Sequence, residues 1–249
     1  MKLSYTTLIF HFMITTFCAK LPSSFKKCDY KSPDLDQCLV EAIQTALVQL
    51  DHPMVGLPSL DPLLVERFSI GAGSGPVGVQ ENFQNAKLYG FTTGIVENAA
   101  LSLSPNRSHL NFTITMPEFK ILAQYQLEGQ LLLIPVHGKG DATLLLKNVT
   151  GVVFLSLEKY PKKGFTHLKI VDGKVTLPKT DLLYMNFQNR ENRTSEFSDM
   201  MNKVLNDNWR AIFDDVRSGY ESFFTEIIVN LAGKFFDKVP LTEMLDNVE

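Results

Sequence analysis

Between residues 32 and 53 apolar side chains recur at helical spacing. Leu35, Cys38, Leu39, Ala42, Ile43, Ala46, Leu47 and Leu50 fall on one stripe, the signature of an amphipathic helix. Ser32 supplies a cap, Pro33 suits the first helical position, and Asp34 and Asp36 lie where the positive helix end favours acid. His52-Pro53 ends the pattern. From about residue 53 to 189 the period drops to two. In 109–116, Leu110, Phe112, Ile114 and Met116 share one face, and His109, Asn111, Thr113 and Thr115 the other. Phe119, Ile121, Ala123, Tyr125 and Leu127 make a second apolar face, opposed by Lys120, Gln124, Gln126 and Glu128. The stretch 131–134 is uniformly apolar and reads as buried on both sides. Asp172-Gly173 reads as a hairpin turn between Leu168/Ile170 and Val175/Leu177, and Leu183, Met185 and Phe187 alternate again. Long strands with short turns predict one extended antiparallel sheet.

The last fifth of the chain returns to helical spacing. Thr194 or Ser195 starts a helix with Glu196 in its first turn, and Pro240 closes it. Its stripe runs from Phe197 through Met200, Met201, Val204, Leu205, Trp209, Ile212, Phe213, Val216, Tyr220, Phe223, Phe224, Ile227, Ile228 and Leu231 to Phe235 and Phe236. At about 1.5 Å per residue such a helix extends roughly 60 Å. An aromatic-rich stripe fits a coiled coil poorly, and Asp207, Asp214, Asp215, Arg217 and Glu226 exclude a membrane span. The remaining arrangement is an α+β fold in which a long sheet curls around a long helix. Such a roll either fills its middle with side chains or leaves a gap. Apolar stripes are ordinarily core, and the pattern alone is compatible with both outcomes.

Composition narrows the class. The chain has 249 residues, 45% hydrophobic and 20% charged, enough for one large domain or two small ones. A formal net charge of −3 leaves no electrostatic footprint for nucleic acid and disfavours docking on anionic lipid. Lys2, the short apolar run 8–17 and the small residues around Thr16-Phe17-Cys18 read as a secretory signal peptide over residues 1–18. The run is too short for a membrane anchor, which needs about 20 apolar residues, and no later segment is long enough. Cleavage would remove Cys18 and leave Cys28 and Cys38, which pair in an oxidising compartment. Four acceptor sequons, at Asn106, Asn111, Asn148 and Asn192, agree with a secreted, extracellular glycoprotein occupying residues 19–249.

Several ordered segments then resemble the takeout/juvenile-hormone-binding family. Leu21-Pro22, Phe25-Lys26-Lys27-Cys28 and Cys38-Leu39 look like its opening, and Gly56-Leu57-Pro58-Ser59-Leu60-Asp61-Pro62-Leu63 resembles its glycine-proline and Asp-Pro-Leu segment. Tyr125-Gln126-Leu127-Glu128-Gly129 followed by Pro135-Val136-His137-Gly138-Lys139-Gly140 resembles its central segment. Leu205-Asn206-Asp207-Asn208-Trp209-Arg210 is similar to its Asn-x-Asn-Trp motif, and Phe235-Phe236-Asp237-Lys238-Val239-Pro240 to its close. The resemblance implies a long helix wrapped by a highly curved antiparallel sheet around a hydrophobic tunnel. It also implies a lipophilic small-molecule ligand, with juvenile hormone the best-known class. A single bridge near the N-terminus looks like the takeout branch; the haemolymph hormone-binding branch carries a second. Asn189-Arg190-Glu191-Asn192 stands where family members often carry a glycine.

The tunnel so implied would be lined by Tyr125, Phe112 and Ile114 from the strands and by Met201, Trp209, Phe213 and Phe224 from the helix. Tyr125 is in phase with the apolar face of its strand, so its hydroxyl points inward and takes either a ligand oxygen or a backbone group or water as partner. Trp209 lines the tunnel or anchors helix to sheet, and Met200 and Met201 give an adaptable wall or ordinary core. The stretch 73–78 formally fits G-x-G-x-x-G, but Pro76 interrupts it and no βαβ unit surrounds it. His52, His109, His137 and His167 have no metal-ligand spacing and read as surface or turn residues. With no P-loop, zinc-protease or nucleophile-elbow motif, the chain reads as a carrier rather than an enzyme, without metal or cofactor. The rival reading is a secreted signalling or interaction protein whose tunnel is filled. The pattern names neither the ligand nor an oligomeric state.

Overall fold

The computed structural model describes residues 20–71, 77–131, 134–190 and 195–248. The expected leader 1–18, residues 73–76 of the glycine-rich stretch, the middle of 131–134, the start of the last helical stretch at Thr194 and the Asn192 sequon lie outside them. The chain opens with β1 (Cys28–Asp29) and α1 (Leu35–Gln49). Strands β2 (Leu63–Ile70), β3 (Val77–Tyr89), β4 (Ile95–Ser102), β5 (Ser108–Leu131), β6 (Ile134–Lys162), β7 (Phe165–Lys179) and β8 (Leu182–Asn189) follow. The helices α2 (Ser195–Asp207), α3 (Trp209–Lys238) and α4 (Leu241–Met244) and the short strand β9 (Leu245–Asp246) complete it.

β2 to β8 form one antiparallel sheet whose spine is the β5–β6 hairpin. β4 flanks the N-terminal half of β5 and β7 the C-terminal half of β6, which makes one end of the sheet. β3, carrying β2, flanks the other half of β5, and β8 the other half of β6, which makes the opposite end. The inward phase inverts between the two ends. Even-numbered residues of β5 face inward up to Met116, and odd-numbered ones from Phe119. On β6 the same exchange falls at Asn148, a residue with φ of 48°. The two apolar faces read from the sequence therefore meet the same interior from successive halves of one strand.

The helices lie in the curl, with α3 against β7, β2 and β8, α2 against β8, and α1 against β4. They are fastened to exposed strand edges by side chains that take the place of a missing neighbour strand. Asn206 accepts from Met185 N–H at 2.8 Å and donates to its carbonyl at 2.7 Å. Asn202 does the same for Phe187 at 2.8 and 3.1 Å. Val175 N–H donates to Thr225 Oγ1 and Leu177 N–H to Glu221 Oε1, both at 2.8 Å. Gln44 of α1 donates to Gly94 O and accepts from Val96 N–H, again at 2.8 Å. Each such pair satisfies edge groups that would otherwise be buried unpaired.

Three expectations change. The terminal helix is not one unbroken rod: Asn208, with φ −114° and ψ 19°, interrupts it between α2 and α3, and its side chain donates to Val204 O at 2.8 Å, competing with the helix's own pattern. Asp172-Gly173 is not a hairpin turn. It lies within β7 at an irregularity where Ser156 faces Asp172 and Leu157 faces Ile170. A Cβ on Gly173 would stand 2.5 Å from Val229, so the glycine lets α3 approach the sheet. The true turn is Lys163-Gly164, with φ of 51° and 83°, the conformation of a tight hairpin. His167 is neither surface nor turn: it is 2% exposed, and its Nδ1 lies 3.1 Å from the Phe236 carbonyl, tying β7 to the end of α3.

The first and last strands of the described chain meet. β1 pairs in parallel with β9, and Cys28 is bonded to Cys38 of α1, closing a loop of sequence separation 10. By the loop-entropy relation, replacing both cysteines by serine is expected to remove about 2–3 kcal/mol, or roughly 4–12 °C in Tm for a domain of this size. Thermal melts of the two proteins check this. An unchanged Tm would mean the bridge adds nothing to what β1–β9 pairing already holds.

Candidate functional site

The interior is packed differently at its two ends. Along the first two thirds of α3, Ile212, Phe213, Val216, Tyr220, Phe223, Phe224 and Ile227 are buried. Their packing culminates in a run of aromatic rings across the roll. Phe83 stacks on Phe68 at 4.7 Å, Phe68 on Phe223 at 3.9 Å, Phe223 lies 5.3 Å from Phe224, and Phe224 meets Phe119 edge-on at 5.4 Å. Phe91 continues the run to Phe119 at 5.0 Å. Rings at these separations attract beyond simple area burial, so they partition the roll.

Beyond the partition, on the α1 side, the packing stops short. Only Leu39 among the α1 residues is buried, although the inward stripe of that helix is apolar. Ile228, Leu231, Ala232 and Phe235 of the last turns of α3 are likewise only half-buried. They face a cavity of about 260 Å³. Its walls are Leu39, Ala42, Ile43, Ala46, Leu47 and Leu50 of α1, Leu101 of β4, Leu110 and Phe112 of β5, Leu155 and Leu157 of β6, and Leu168 of β7, with the α3 residues opposite. Leu57 and Leu60, from the glycine-proline segment, and Leu241, Met244 and Leu245, from the chain end, close the base. Asp61, next in that segment, holds the floor in place by accepting from Gly90 N–H at 3.1 Å and Thr92 Oγ1 at 2.7 Å. Lys26 is the charged residue in the lining, and its ammonium pairs with Glu41 on the exposed side of α1. That pair marks the solvent edge of the cavity, between the N-terminal arm and α1.

On the other side of the partition is a void of about 30 Å³ beneath α2. It is bounded by Val79, Glu81, Leu127, Val136, Leu144 and side chains of β8, α2 and α3. Glu81 and Tyr220 meet there: the Tyr220 hydroxyl donates to Glu81 Oε2 at 3.0 Å. Burial pushes the Glu81 carboxyl up to about 7, against a smaller lowering by that hydrogen bond. Burial, then the neighbouring carboxylate, holds the Tyr220 hydroxyl well above its ordinary value.

The residues expected to line a tunnel are dispersed between these places. Phe112 lines the large cavity and Met201 the small void. Phe224 belongs to the aromatic partition and Phe213 is buried in the packed half of α3. Ile114 is buried against Gly94 and Gly151. Tyr125 is buried with its ring edge-on to Phe187 at 5.0 Å, on the far side of the partition from the large cavity. Trp209 is half-buried beside the helix interruption, with the Arg210 guanidinium 4.5 Å from its ring. Met200 is 55% exposed. The α1 wall was missed because lining and filling look alike in a sequence; the signal available was a pair of alanines, Ala42 and Ala46, on an otherwise large-residue stripe. Glu81 also left a signal, an acid in phase with Val79 and Phe83 on an inward strand face. Among the described residues no three His, Cys, Asp or Glu side chains come together as a metal site.

The described sequon positions are outward. Asn106 is exposed in the β4–β5 connection, Asn111 is exposed on β5 opposite Phe154, and Asn148 is exposed and donates to Asp181 at 2.8 Å.

Chemically, the described lining of the large cavity offers apolar surface and one cationic edge, Lys26. Comparison with known proteins places it in context. The family model described as haemolymph juvenile hormone binding protein matches residues 7–246. The circadian clock-controlled protein daywake of Drosophila melanogaster is 24% identical over 233 residues, which is 90% of this chain and 88% of that protein. Its counterpart in Drosophila yakuba is 27% identical over 204 residues, 79% and 77% of the two chains. The crystal structure of Takeout 1 from Epiphyas postvittana superposes with a TM-score of 0.76 at 24% identity, covering 90% of this chain and 100% of that one.

Proposed function

The chain belongs to the haemolymph juvenile hormone binding protein family, and on that premise we propose that it is a secreted carrier holding one lipophilic small molecule in the cavity between α1 and the last turns of α3. The family is one of hydrophobic-ligand binders rather than enzymes. The observation that carries the reading is the unfilled apolar cavity of about 260 Å³. An apolar void that the protein does not fill forfeits dispersion contacts along its whole lining, and a hydrocarbon guest restores them while leaving water.

The cavity lies just below the roughly 300–1,000 Å³ of ordinary small-molecule pockets, so a slim, flexible guest such as a terpenoid or a fatty acyl chain suits it. Met244 at the base is adaptable enough to enlarge it. A guest of roughly 20–30 heavy atoms at about −0.3 kcal/mol per atom gives about −6 to −9 kcal/mol, a dissociation constant around micromolar. Lys26 at the rim suits a guest whose outer end is polar or acidic. The leader over residues 1–18 delivers the protein to the extracellular space, where Cys28–Cys38 persists and the sequons at Asn106, Asn111, Asn148 and Asn192 are glycosylation sites. Transport and protection of the guest are the roles such a cavity serves.

Native mass spectrometry of protein purified from an insect-cell medium, before and after extraction with organic solvent, tests this. The carrier reading expects a mass increment of a few hundred daltons that extraction removes and a terpenoid or fatty acid restores. Protein that carries nothing and loads nothing would instead support the signalling or interaction role.

A further inference from the structure

The void beneath α2 is apolar except for two side chains, Glu81 and Tyr220, and both are buried. Glu81 is 8% and Tyr220 9% exposed. Glu81 receives one hydrogen bond, from Tyr220, at Oε2. Oε1 has no described partner, and every other side chain bounding the void is a hydrocarbon or thioether: Val79 of its own strand, Leu127 of β5, Val136 and Leu144 of β6, the β8 residues, Met201 and Leu205 of α2, and Ile212 and Val216 of α3. Among the described residues bounding the void there is no cation. Glu81 lines the void, so an oxygen there without a protein donor is open to a water or to an atom of a guest.

We propose that Glu81 and Tyr220 form a polar subsite that takes the oxygen-bearing end of an elongated lipophile, whose hydrocarbon part occupies the large cavity. The inference rests on the carrier reading and adds the chemical class of the guest: a chain ending in a carbonyl, ester or hydroxyl oxygen. With Tyr220 donating to one carboxyl oxygen and no cation to hold a negative charge, the acid keeps its proton and presents an O–H donor. A space of about 30 Å³ admits one or two water-sized groups, which is the size of such an end group and not of a chain. Tyr220 and Ile228 bound the two spaces on one helix and are eight residues apart, roughly 12 Å of rise. Phe223 and Phe224 stand between them. A guest reaching both spaces therefore slides the Phe68–Phe223 stack aside, and Met201 yields at the far wall.

The test uses the full mature chain at pH 6, with N-phenyl-1-naphthylamine as the displaceable probe and straight-chain methyl ketones and alkanes of equal length as competitors. The wild type is expected to prefer the ketone by tenfold or more once the chain is long enough to pass the partition, and to show no preference for short chains. Glu81→Gln, whose amide still donates, keeps the preference; Glu81→Leu loses it while still binding the probe. A ¹³C-carbonyl ketone gives a readout independent of any variant: its bound resonance moves downfield, as a hydrogen-bonded carbonyl does, in the wild type. Equal affinity for ketone and alkane, or a bound carbonyl resonating as in hydrocarbon solvent, overturns the subsite and leaves the carrier reading standing; Glu81 would then hold a water. If neither probe nor competitor binds the wild type, the carrier reading fails first.

Discussion

Replacing Ala46 or Ala232 by tryptophan is expected to lower affinity for a lipophilic probe by a hundredfold or more while leaving the protein folded. Both alanines line the large cavity, one from α1 and one from α3, so an indole on either grows into the space a guest would use. An aromatic of that size buries about 150–250 Å²; at about 25 cal/mol per Å² this is several kcal/mol of apolar burial. The side chain thus competes with the guest for the same free energy, and the empty protein gains contacts. Ligand-free variants should therefore melt no lower than the wild type. Val48→Trp is the control, because Val48 lies on the outer face of α1 and is 56% exposed. Probe titration by fluorescence, with melts alongside, checks all three. Equal affinity in the Ala46 and Ala232 variants would place the guest elsewhere or nowhere.

The second large effect is on stability against pH. The Glu81 carboxyl titrates near 7 in the folded chain against an ordinary 4.5. Between those values the folded state keeps a proton that the unfolded state has lost, so stability falls as pH rises through this window. The shift corresponds to about 3 kcal/mol, present below about pH 4.5 and lost above about pH 7. Glu81→Gln removes the titration and leaves a group of the same shape that still accepts from Tyr220. Urea unfolding at pH 5 and pH 8 should show the wild type losing about 2–3 kcal/mol relative to Glu81→Gln over that interval. Parallel pH profiles for the two proteins would mean that the carboxyl is ionised in the folded state and has a counter-charge or solvent. Tyr220 contributes only in strong alkali, since its hydroxyl is held above its ordinary range.

Strand faces and the helix stripe were legible because each is a local pattern. Leu110, Phe112, Ile114 and Met116 alternate within eight residues, and the inversion at Pro117 shows in the sequence as the jump from Met116 to Phe119. The curl of sheet around helix followed from the helix's length and stripe, and the ordered resemblance to the takeout/juvenile-hormone-binding family added the expectation of a hydrophobic tunnel. Asn206 illustrates a partial reading: its motif was visible, but its work, pairing both backbone groups of Met185 on the β8 edge, depends on a strand some twenty residues away. Asp172-Gly173 misled because the dipeptide suits a hairpin and equally suits a strand irregularity under a close helix. The cavity was the least legible feature. Its walls come from Leu21 at one end of the described chain to Leu245 at the other, and a void is what those side chains jointly fail to fill. No periodicity encodes that difference: Phe224 and Phe235 share one stripe, yet one is in the partition and the other faces the space.

The claim on which the rest depends is that apolar space remains between α1 and the end of α3 and accepts a guest. Crystals of the mature protein equilibrated with 1-bromododecane, with diffraction recorded at the bromine edge, test it directly. The expected result is one strong anomalous peak in the large cavity, within about 4 Å of side chains such as Ile43, Phe112 and Ile228, the distance of apolar contact. Side chains interlocked across that space, with bromine absent or bound only on the outer surface, would contradict it.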